Sequence, residues 1–240
     1  MHSASLHQKD IADNGFSIII DIYSVDEIST IARLIEQADR SSKTFRKSED
    51  LFAIRQFLKE VPGVKDLIFN KSLKTVINNL LGDDYFVAKS IYFDKPEKSN
   101  WFVAWHQDLT ISVDKKANLP GYGPWTTKLN QYAVQPPLDI LQDNFTIRIH
   151  LDDTDEGNGA LKVIAGSHLK GVWRTYDFDF RAGIARSCNV EAGGVMIMRP
   201  LLMHASNRTT TNKRRRVIHI EFSKVQLPEG LNWAEREVFI

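Results

Sequence analysis

The 240-residue chain has little of what marks several large classes of protein. Its single cysteine, Cys188, excludes a disulfide framework and any zinc site built from several thiolates. No apolar run approaches the ~18 residues of a membrane span. Lysine plus arginine (31) nearly balances aspartate plus glutamate (30), so no positive field favours nucleic acid or anionic lipid as a partner. The first residues lack the basic start and apolar core of a secretory signal, so we expect a cytoplasmic protein.

Common catalytic motifs are also absent. The sequence has no glycine-rich phosphate loop and no G-x-S-x-G, C-x-x-C or H-E-x-x-H motif. Its hydrophobic (42%) and charged (25%) fractions are ordinary for a globular protein and argue against disorder. At this length we expect one domain over residues 1–240. Histidine and carboxylate side chains are left as the candidates for chemistry.

Hydrophobic periodicity predicts two kinds of structure along the chain. Ser24 and Glu27 form a capping-box pattern that begins a helix predicted over 25–39, and a second helix is predicted over 72–81. We therefore expect a mainly helical support over residues 1–84. From residue 85 the period changes from 3.6 to 2, and short strands follow without helices between them, as in an antiparallel sandwich or jelly roll. The predicted strands are 16–20, 85–93, 103–112, 145–151, 161–164, 194–198 and 215–222.

Residues 113–144 interrupt this series. They are polar, contain four prolines and two glycines, and show almost no periodicity. A loop of this length within a compact domain is usually functional, and often a lid. We predict a mainly β fold with flanking helices (α+β), with a β-core over 85–225 and this long lid insertion across one end.

Two histidines and one aspartate are the candidate metal ligands. The string W-H-Q-D lies in the predicted strand 103–112, where residues two apart point to one face, so His106 and Asp108 could bind one metal. His204 follows an apolar strand and stands beside small residues. Together the three would complete a 2-His-1-carboxylate site, which leaves three coordination positions on Fe(II) open to substrates.

A second H-x-D pair, His150 and Asp152, shows that the pattern also arises by chance. For either pair the alternative is a hydrogen-bonded strand histidine without a metal. Arg215 begins the last strand eleven residues after His204. An inward arginine beside such a metal would bind the carboxylate of an anionic cosubstrate through a bidentate fork. For the rest of the basic run 213–216 we prefer a solvated strand edge.

In this combination and order, the chain resembles the phytanoyl-CoA dioxygenase family over nearly its whole length. The resemblance is carried by W-H-Q-D, the segment N-G-A-L-K-V-I-A-G-S-H-L-K-G over 158–171, His204 and Arg215. The family consists of Fe(II)- and 2-oxoglutarate-dependent oxygenases on a double-stranded β-helix. The resemblance therefore implies a jelly-roll or cupin-like core, and Fe(II), 2-oxoglutarate and O2 as cofactor and cosubstrates.

The resemblance also implies a role for individual residues. His106, Asp108 and His204 match the catalytic iron ligands. Arg215 matches the arginine that binds the distal carboxylate of 2-oxoglutarate, and Ser206 matches a cosubstrate contact.

Several further residues are candidates for ligand contacts. Arg148 occupies a strand position that lines the cosubstrate pocket in the family, often with an aromatic residue, and an arginine there could bind cosubstrate or an acidic substrate. Arg55 is an isolated cation in an apolar stretch that could reach a substrate anion or pair with a buried acid. Trp125, Lys128 and Gln131 on the insertion could contact substrate or merely fix the loop.

Asp108 bears on the type of reaction. Related halogenases replace the ligand carboxylate with a small residue, so a carboxylate here favours hydroxylation or another oxidation. We expect a dioxygenase that oxidises an unactivated C–H bond of a small-molecule metabolite and releases succinate and CO2. The alternatives are a cupin-like metalloenzyme, an isomerase or another, without 2-oxoglutarate, and a non-catalytic β-sandwich binding protein. Arg215 discriminates between the dioxygenase and the metalloenzyme without 2-oxoglutarate, because an enzyme that binds no dicarboxylate needs no arginine to anchor it.

Overall fold

A computed structural model describes residues 2–39, 41–128, 131–173 and 185–239. Within these ranges, no helix has the length and apolar character needed to cross a membrane. The helices are α1 (His2–Asp13), α2 (Val25–Gln37), α3 (Phe57–Glu60), α4 (Val64–Ile68), α5 (Lys71–Leu80) and α6 (Leu138–Asp143). The strands are β1 (Phe16–Ile19), β2 (Phe45–Lys47), β3 (Phe52–Arg55), β4 (Phe86–Lys95), β5 (Val103–His106), β6 (Ile111–Val113), β7 (Trp125–Lys128), β8 (Gln131–Val134), β9 (Phe145–His150), β10 (Leu161–Ile164), β11 (Ala185–Cys188), β12 (Val195–Met198), β13 (His204–Ser206) and β14 (Arg215–Ser223).

These strands form three antiparallel sheets. A seven-stranded sheet has the order β1-β12-β9-β14-β4-β3-β2, a four-stranded sheet the order β11-β10-β13-β5, and a three-stranded sheet the order β6-β8-β7. Several neighbours in the two larger sheets come from distant parts of the chain, as in a jelly roll: β1 beside β12, β14 beside β4, and β13 beside β5. The predicted fold class, mainly β with flanking helices and a jelly-roll core, is confirmed.

Helices cover one face of the seven-stranded sheet. The capping box is present at the start of α2, where the Ser24 hydroxyl accepts a hydrogen bond from the Glu27 amide and the Glu27 carboxylate accepts one from the Ser24 amide. The apolar faces of α2 and α5 pack on the sheet. Strand β14 shows the consequence of strand alternation: Ile218 and Ile220 enter this core, while Arg215 and His219 face a cavity on the other side.

Part of the predicted helical support is strand. Besides helices α1 to α5, residues 1–84 contain β1 at one edge of the seven-stranded sheet and the pair β3 and β2 at the other. Strands β2 and β3 have three and four residues, too few for a period of two to stand out from chance.

The single strand predicted over 103–112 is wrong. Strand β5 ends at His106, β6 begins at Ile111, and the two belong to different sheets. Between them the Asp108 amide donates to the Pro200 carbonyl at 2.9 Å. The buried Gln107 amide group donates to the Leu201 carbonyl at 2.6 Å. These two polar groups between β5 and β6 are therefore hydrogen-bonded to the segment before β13 rather than to a neighbouring strand.

The insertion over 113–144 contains regular structure that the sequence did not predict. Strands β7 and β8 form a hairpin that pairs with β6, and α6 follows. The strands have four residues each and lie among prolines and glycines, which conceals their alternation. The sheet packs on an apolar cluster that includes Trp233 of the C-terminal segment.

The C-terminal segment carries a buried carboxylate. The Ala234 amide donates to the Ser112 carbonyl at 3.0 Å, which places Glu235 against β4. There the Ser90 hydroxyl donates to the Glu235 carboxylate at 2.6 Å. Burial raises the pKa of Glu235 to about 7.

This buried carboxylate makes stability depend on pH. A raised folded-state pKa adds stability below the ordinary value of 4.5, and that stability is lost as the pH rises through about 7. Glu235→Gln is therefore expected to match the wild type near pH 4 and to exceed it at pH 8 by up to about 3 kcal/mol. Urea unfolding at both pH values measures this. The control Glu237→Gln removes a partly exposed partner of Lys65 and should show no such gain. An equal effect of Glu235→Gln at both pH values would contradict the assignment.

Candidate metal and cosubstrate site

Three side chains that could bind one metal ion lie together at the ends of β5 and β13. The antiparallel register pairs His204 with His106, and their ring centroids are 4.2 Å apart. The Asp108 carboxylate stands between them, 3.8 Å from the Nε2 atom of each histidine. One ligand atom of each residue lies within 4.8 Å of the others.

Hydrogen bonds orient both imidazoles towards this point. The Nδ1 atom of His106 lies 2.8 Å from the Ala104 carbonyl, and that of His204 lies 2.9 Å from the Leu202 carbonyl. A carbonyl oxygen only accepts, so each Nδ1 carries the proton and each Nε2 presents its lone pair. Metal-bound histidines are usually held in this way by an outer hydrogen bond.

The protonation states and the unsatisfied groups also suit a metal. Burial lowers the pKa of His204 to about 4, so its imidazole is neutral at neutral pH. Burial alone would raise the pKa of Asp108, but attraction to its cationic neighbours, first to His204 in the protonated form that it takes below about pH 4, outweighs burial and lowers that pKa to about 2. The Oδ2 atom of Asp108 is buried and has no hydrogen-bond partner among the residues described. Two neutral nitrogen ligands and one carboxylate fit Fe(II).

The second H-x-D pair does not join this group. The Nδ1 atom of His150 lies 2.8 Å from the Thr154 hydroxyl oxygen. Asp152 accepts from the Arg216 guanidinium at 2.6 and 2.9 Å. These side chains hold the turn after β9 and the start of β14 in place, so for this pair the structural alternative fits.

The three side chains open into a cavity of about 410 Å³. It lies between the two larger sheets and is covered by the hairpin of β7 and β8, from which Thr126, Gln131 and Ala133 line it. The predicted ligand-contact residues on its wall are Arg55, Gln131, Arg148, Ser206 and Arg215.

Arg215 enters the cavity as a buried cation without a partner. It is 4% exposed, and its Nε and Nη1 atoms have no hydrogen-bond partner among the residues described. Burial lowers the pKa of Arg215 to about 9, so the guanidinium stays charged at neutral pH. Ser206 lies nearby in β13 and donates its hydroxyl proton to the Gly159 carbonyl at 2.8 Å, which leaves its oxygen free to accept.

Arg148 is held by a chain of buried polar groups. Its Nη1 lies 3.1 Å from Nδ1 of His219, and because arginine only donates, this nitrogen is the acceptor. The Nε2–H of His219 then donates to Glu221 at 3.2 Å, and Lys89 pairs with the same carboxylate at 2.6 Å. The Nε of Arg148 has no partner among the described residues. Burial lowers the pKa of Arg148 to about 10.

Sequence reasoning missed the last three members of this chain. Strand β14 offered a signal, because His219 and Glu221 share the alternation of Arg215 and must face the same side. Lys89 could not be found in this way, since only the register of β4 against β14 places it opposite Glu221.

The remaining substrate-contact predictions have different outcomes. Arg55 and Gln131 line the cavity. Trp125 packs against the apolar cluster beneath the three-stranded sheet, and its neighbour Thr126 lines the cavity instead. The backbone of Lys128 belongs to β7, and its side chain lies outside what the structure describes.

A jelly-roll core that carries two histidines, a carboxylate and a buried arginine in one cavity has the architecture of an Fe(II)- and 2-oxoglutarate-dependent oxygenase. Residues 11–217 match the family model described as phytanoyl-CoA dioxygenase (PhyH). The chain therefore belongs to the phytanoyl-CoA dioxygenase family. This membership and the His-Asp-His group confirm the expected cofactor and cosubstrate, Fe(II) and 2-oxoglutarate.

Solved structures share the fold at low sequence identity. The carbocyclase SnoK from nogalamycin biosynthesis, described as non-heme and alpha ketoglutarate dependent, has 15% identity over 91% of this chain and 83% of its own, with a TM-score of 0.63. HygX from Streptomyces hygroscopicus, with nickel and 2-oxoglutarate bound, has 13% identity, coverages of 91% and 86%, and a TM-score of 0.65. The apoform of EctD from S. alaskensis has 20% identity, coverages of 91% and 76%, and a TM-score of 0.68.

Proposed function

We propose that this protein is a hydroxylase-type dioxygenase that oxidises an unactivated C–H bond of a small-molecule metabolite and releases succinate and CO2. In this proposal His106, Asp108 and His204 hold Fe(II). The observation that carries it is one cavity with two opposite features: a carboxylate between two imidazoles, and a buried guanidinium that has no partner among the described residues. The first feature suits a cation, and the second suits an anion.

Iron, when bound, supplies the activation of O2 that couples oxidative decarboxylation of 2-oxoglutarate to substrate oxidation. The chain supplies position and charge. Arg215 binds the distal carboxylate of 2-oxoglutarate as a bidentate pair. The Ser206 hydroxyl, which donates to the Gly159 carbonyl without ligand, turns to donate to the same carboxylate. Arg148, close enough to Asp108 for their charges to interact, orients the cosubstrate near the metal. The insertion over 113–144 covers the substrate and excludes water.

The identity of residue 108 supports oxidation of the substrate over halogenation, because a carboxylate occupies the position where a halide would otherwise bind. A second outcome on the same site is suggested by two structural neighbours, described as a carbocyclase and an epimerase. The position in which the cavity holds the substrate would decide between these outcomes. The alternatives without 2-oxoglutarate leave the unpaired Arg215 unexplained.

Anaerobic titration with Fe(II) and 2-oxoglutarate tests the proposal. We expect the weak visible charge-transfer absorption of an iron–keto acid chelate, and succinate release after O2 and substrate are added. Iron binding without this absorption would favour a metalloenzyme that does not use 2-oxoglutarate. Absence of iron binding would favour a non-catalytic binding protein.

A further inference from the structure

We infer that the substrate carries an anionic group, a carboxylate or a phosphate, and that Arg55 binds it at a subsite separate from that of Arg215. This inference rests on the proposed function and names the class of its substrate. Three independent features of the cavity support it: the position of Arg55, the charge of the wall and the size of the space.

The register of the seven-stranded sheet separates the two arginines. Arg55 in β3 lies opposite Ile91 in β4, whereas Arg215 in β14 lies opposite Lys95, four residues further along β4. Four residues along a strand and two strands across place the two Cα atoms roughly 16 Å apart. Two arginines that face one cavity at this separation can each take a different anion.

The charge of Arg55 is not balanced by an ion pair among the described residues. Among the residues that the structure describes, no carboxylate lies within ion-pair distance of its guanidinium. Burial lowers the pKa of Arg55, and the positive charge of Arg46 lowers it further, so the surroundings of Arg55 disfavour its charge. A partly buried cation in such a place is costly unless a ligand supplies the counter-charge. The alternative, that Arg55 pairs with a buried acid, is therefore not supported, because no described carboxylate lies close enough.

The charge of the whole wall leads to the same conclusion. Apart from histidines, the described wall carries four cationic side chains and one carboxylate. The cations are Arg55, Lys89, Arg148 and Arg215, and the carboxylate is Asp108. Lys89 is neutralised by Glu221 at 2.6 Å, which leaves three guanidinium groups against one carboxylate. Fe(II) and the 2-oxoglutarate dianion cancel each other. The loaded site thus keeps two unmatched positive charges, and an anionic substrate would offset them.

The space and the remaining wall define the rest of the substrate class. About 410 Å³ is near the lower end of ligand cavities, which span roughly 300–1,000 Å³, and it must hold cosubstrate and substrate together. Thr110, Ser112, Thr126 and Gln131 add hydroxyl and amide groups to the wall. These features favour a small, polar, anionic metabolite over a molecule the size of an acyl-CoA.

Binding of small probes to the Ni(II)-loaded protein with saturating 2-oxoglutarate tests the inference by calorimetry. The probes are butyrate, its neutral isostere butyramide, and butyl phosphate as the second source of an anion. We expect at least one of the two anions to bind about tenfold or more tightly than butyramide, because a charge-assisted hydrogen bond contributes more than a neutral one. The anion that binds more tightly shows whether the anionic group of the substrate is a carboxylate or a phosphate. Equal binding of all three probes, or no anion binding at tens of millimolar, would overturn the inference.

Two variants locate the subsite. Arg55→Gln should weaken the preferred anion about tenfold or more and leave butyramide unchanged. Arg33→Gln makes the same substitution in α2, at an exposed residue that does not line the cavity, and should leave every probe unchanged. Anion binding of wild-type strength in Arg55→Gln would assign the anion to the metal or to another arginine and overturn the inference. Loading with Ni(II) and 2-oxoglutarate is measured first on each sample, so failure there would count against the proposed function and not against this subsite.

Discussion

Arg215→Met is expected to weaken binding of 2-oxoglutarate and, at the same time, to stabilise the ligand-free protein. The guanidinium is 4% exposed, and two of its nitrogen atoms have no partner in the part of the chain that the structure describes. Losing one partner of a buried charge pair costs about 2–5 kcal/mol, so affinity for 2-oxoglutarate should fall by about 30-fold or more. Without ligand, a methionine of similar length removes an uncompensated charge and should add about 1–4 kcal/mol to the free energy of unfolding. Calorimetry with 2-oxoglutarate and urea unfolding measure the two effects.

The adjacent residue provides a matched control. Arg216 lies on the same strand but faces the other side of the sheet, where Asp152 accepts from its guanidinium at 2.6 Å. Arg216→Met should therefore destabilise the protein by about 1–3 kcal/mol and leave 2-oxoglutarate affinity unchanged. The two neighbouring substitutions thus have opposite signs for stability. A loss of stability in both variants would show that Arg215 is paired inside the protein and is not an anchor that awaits a ligand.

Local patterns were sufficient where an element is long enough for its period to show. The helix α2 followed from its capping box and apolar spacing, and β14 from the alternation of apolar and polar residues over 218–223. The missed strands have only three or four residues each. β2 is an edge strand, β3 lies beside it, and the hairpin of β7 and β8 is held by β6 and by the C-terminal segment.

The candidate site divides in a similar way. Its candidate ligand residues could be chosen from residue types and their order, whereas the geometry that joins them could not. His106 was placed on one strand with Asp108, yet the aspartate lies beyond the strand end and is positioned by a hydrogen bond to the Pro200 carbonyl. The pairing of His204 with His106 joins positions about a hundred residues apart. Strand register of this kind follows from tertiary packing and is not encoded in either segment alone.

Asp108→Asn is expected to weaken metal binding by more than about 100-fold, because outer hydrogen-bond partners alone are worth 10–100-fold and this residue is placed as a direct ligand. The substitution preserves shape and removes only the charge that faces the two imidazoles at 3.8 Å. Titration with Ni(II) measures the affinity. Thermal unfolding gives a second readout, since a metal at 100 times its dissociation constant stabilises the folded state by about 2.7 kcal/mol and the variant should lose this gain.

The second H-x-D pair of the chain separates this effect from a general loss of structure. Asp152→Asn makes the same change at a carboxylate that binds Arg216 and no candidate metal ligand. It should lower stability with or without metal, because the ion pair is broken, and it should retain wild-type affinity for Ni(II). The two variants therefore dissociate metal affinity from stability. If Asp152→Asn lost affinity as strongly as Asp108→Asn, the metal would depend on the integrity of the sheet rather than on a carboxylate between His106 and His204, and the assignment of Asp108 as a ligand would be wrong.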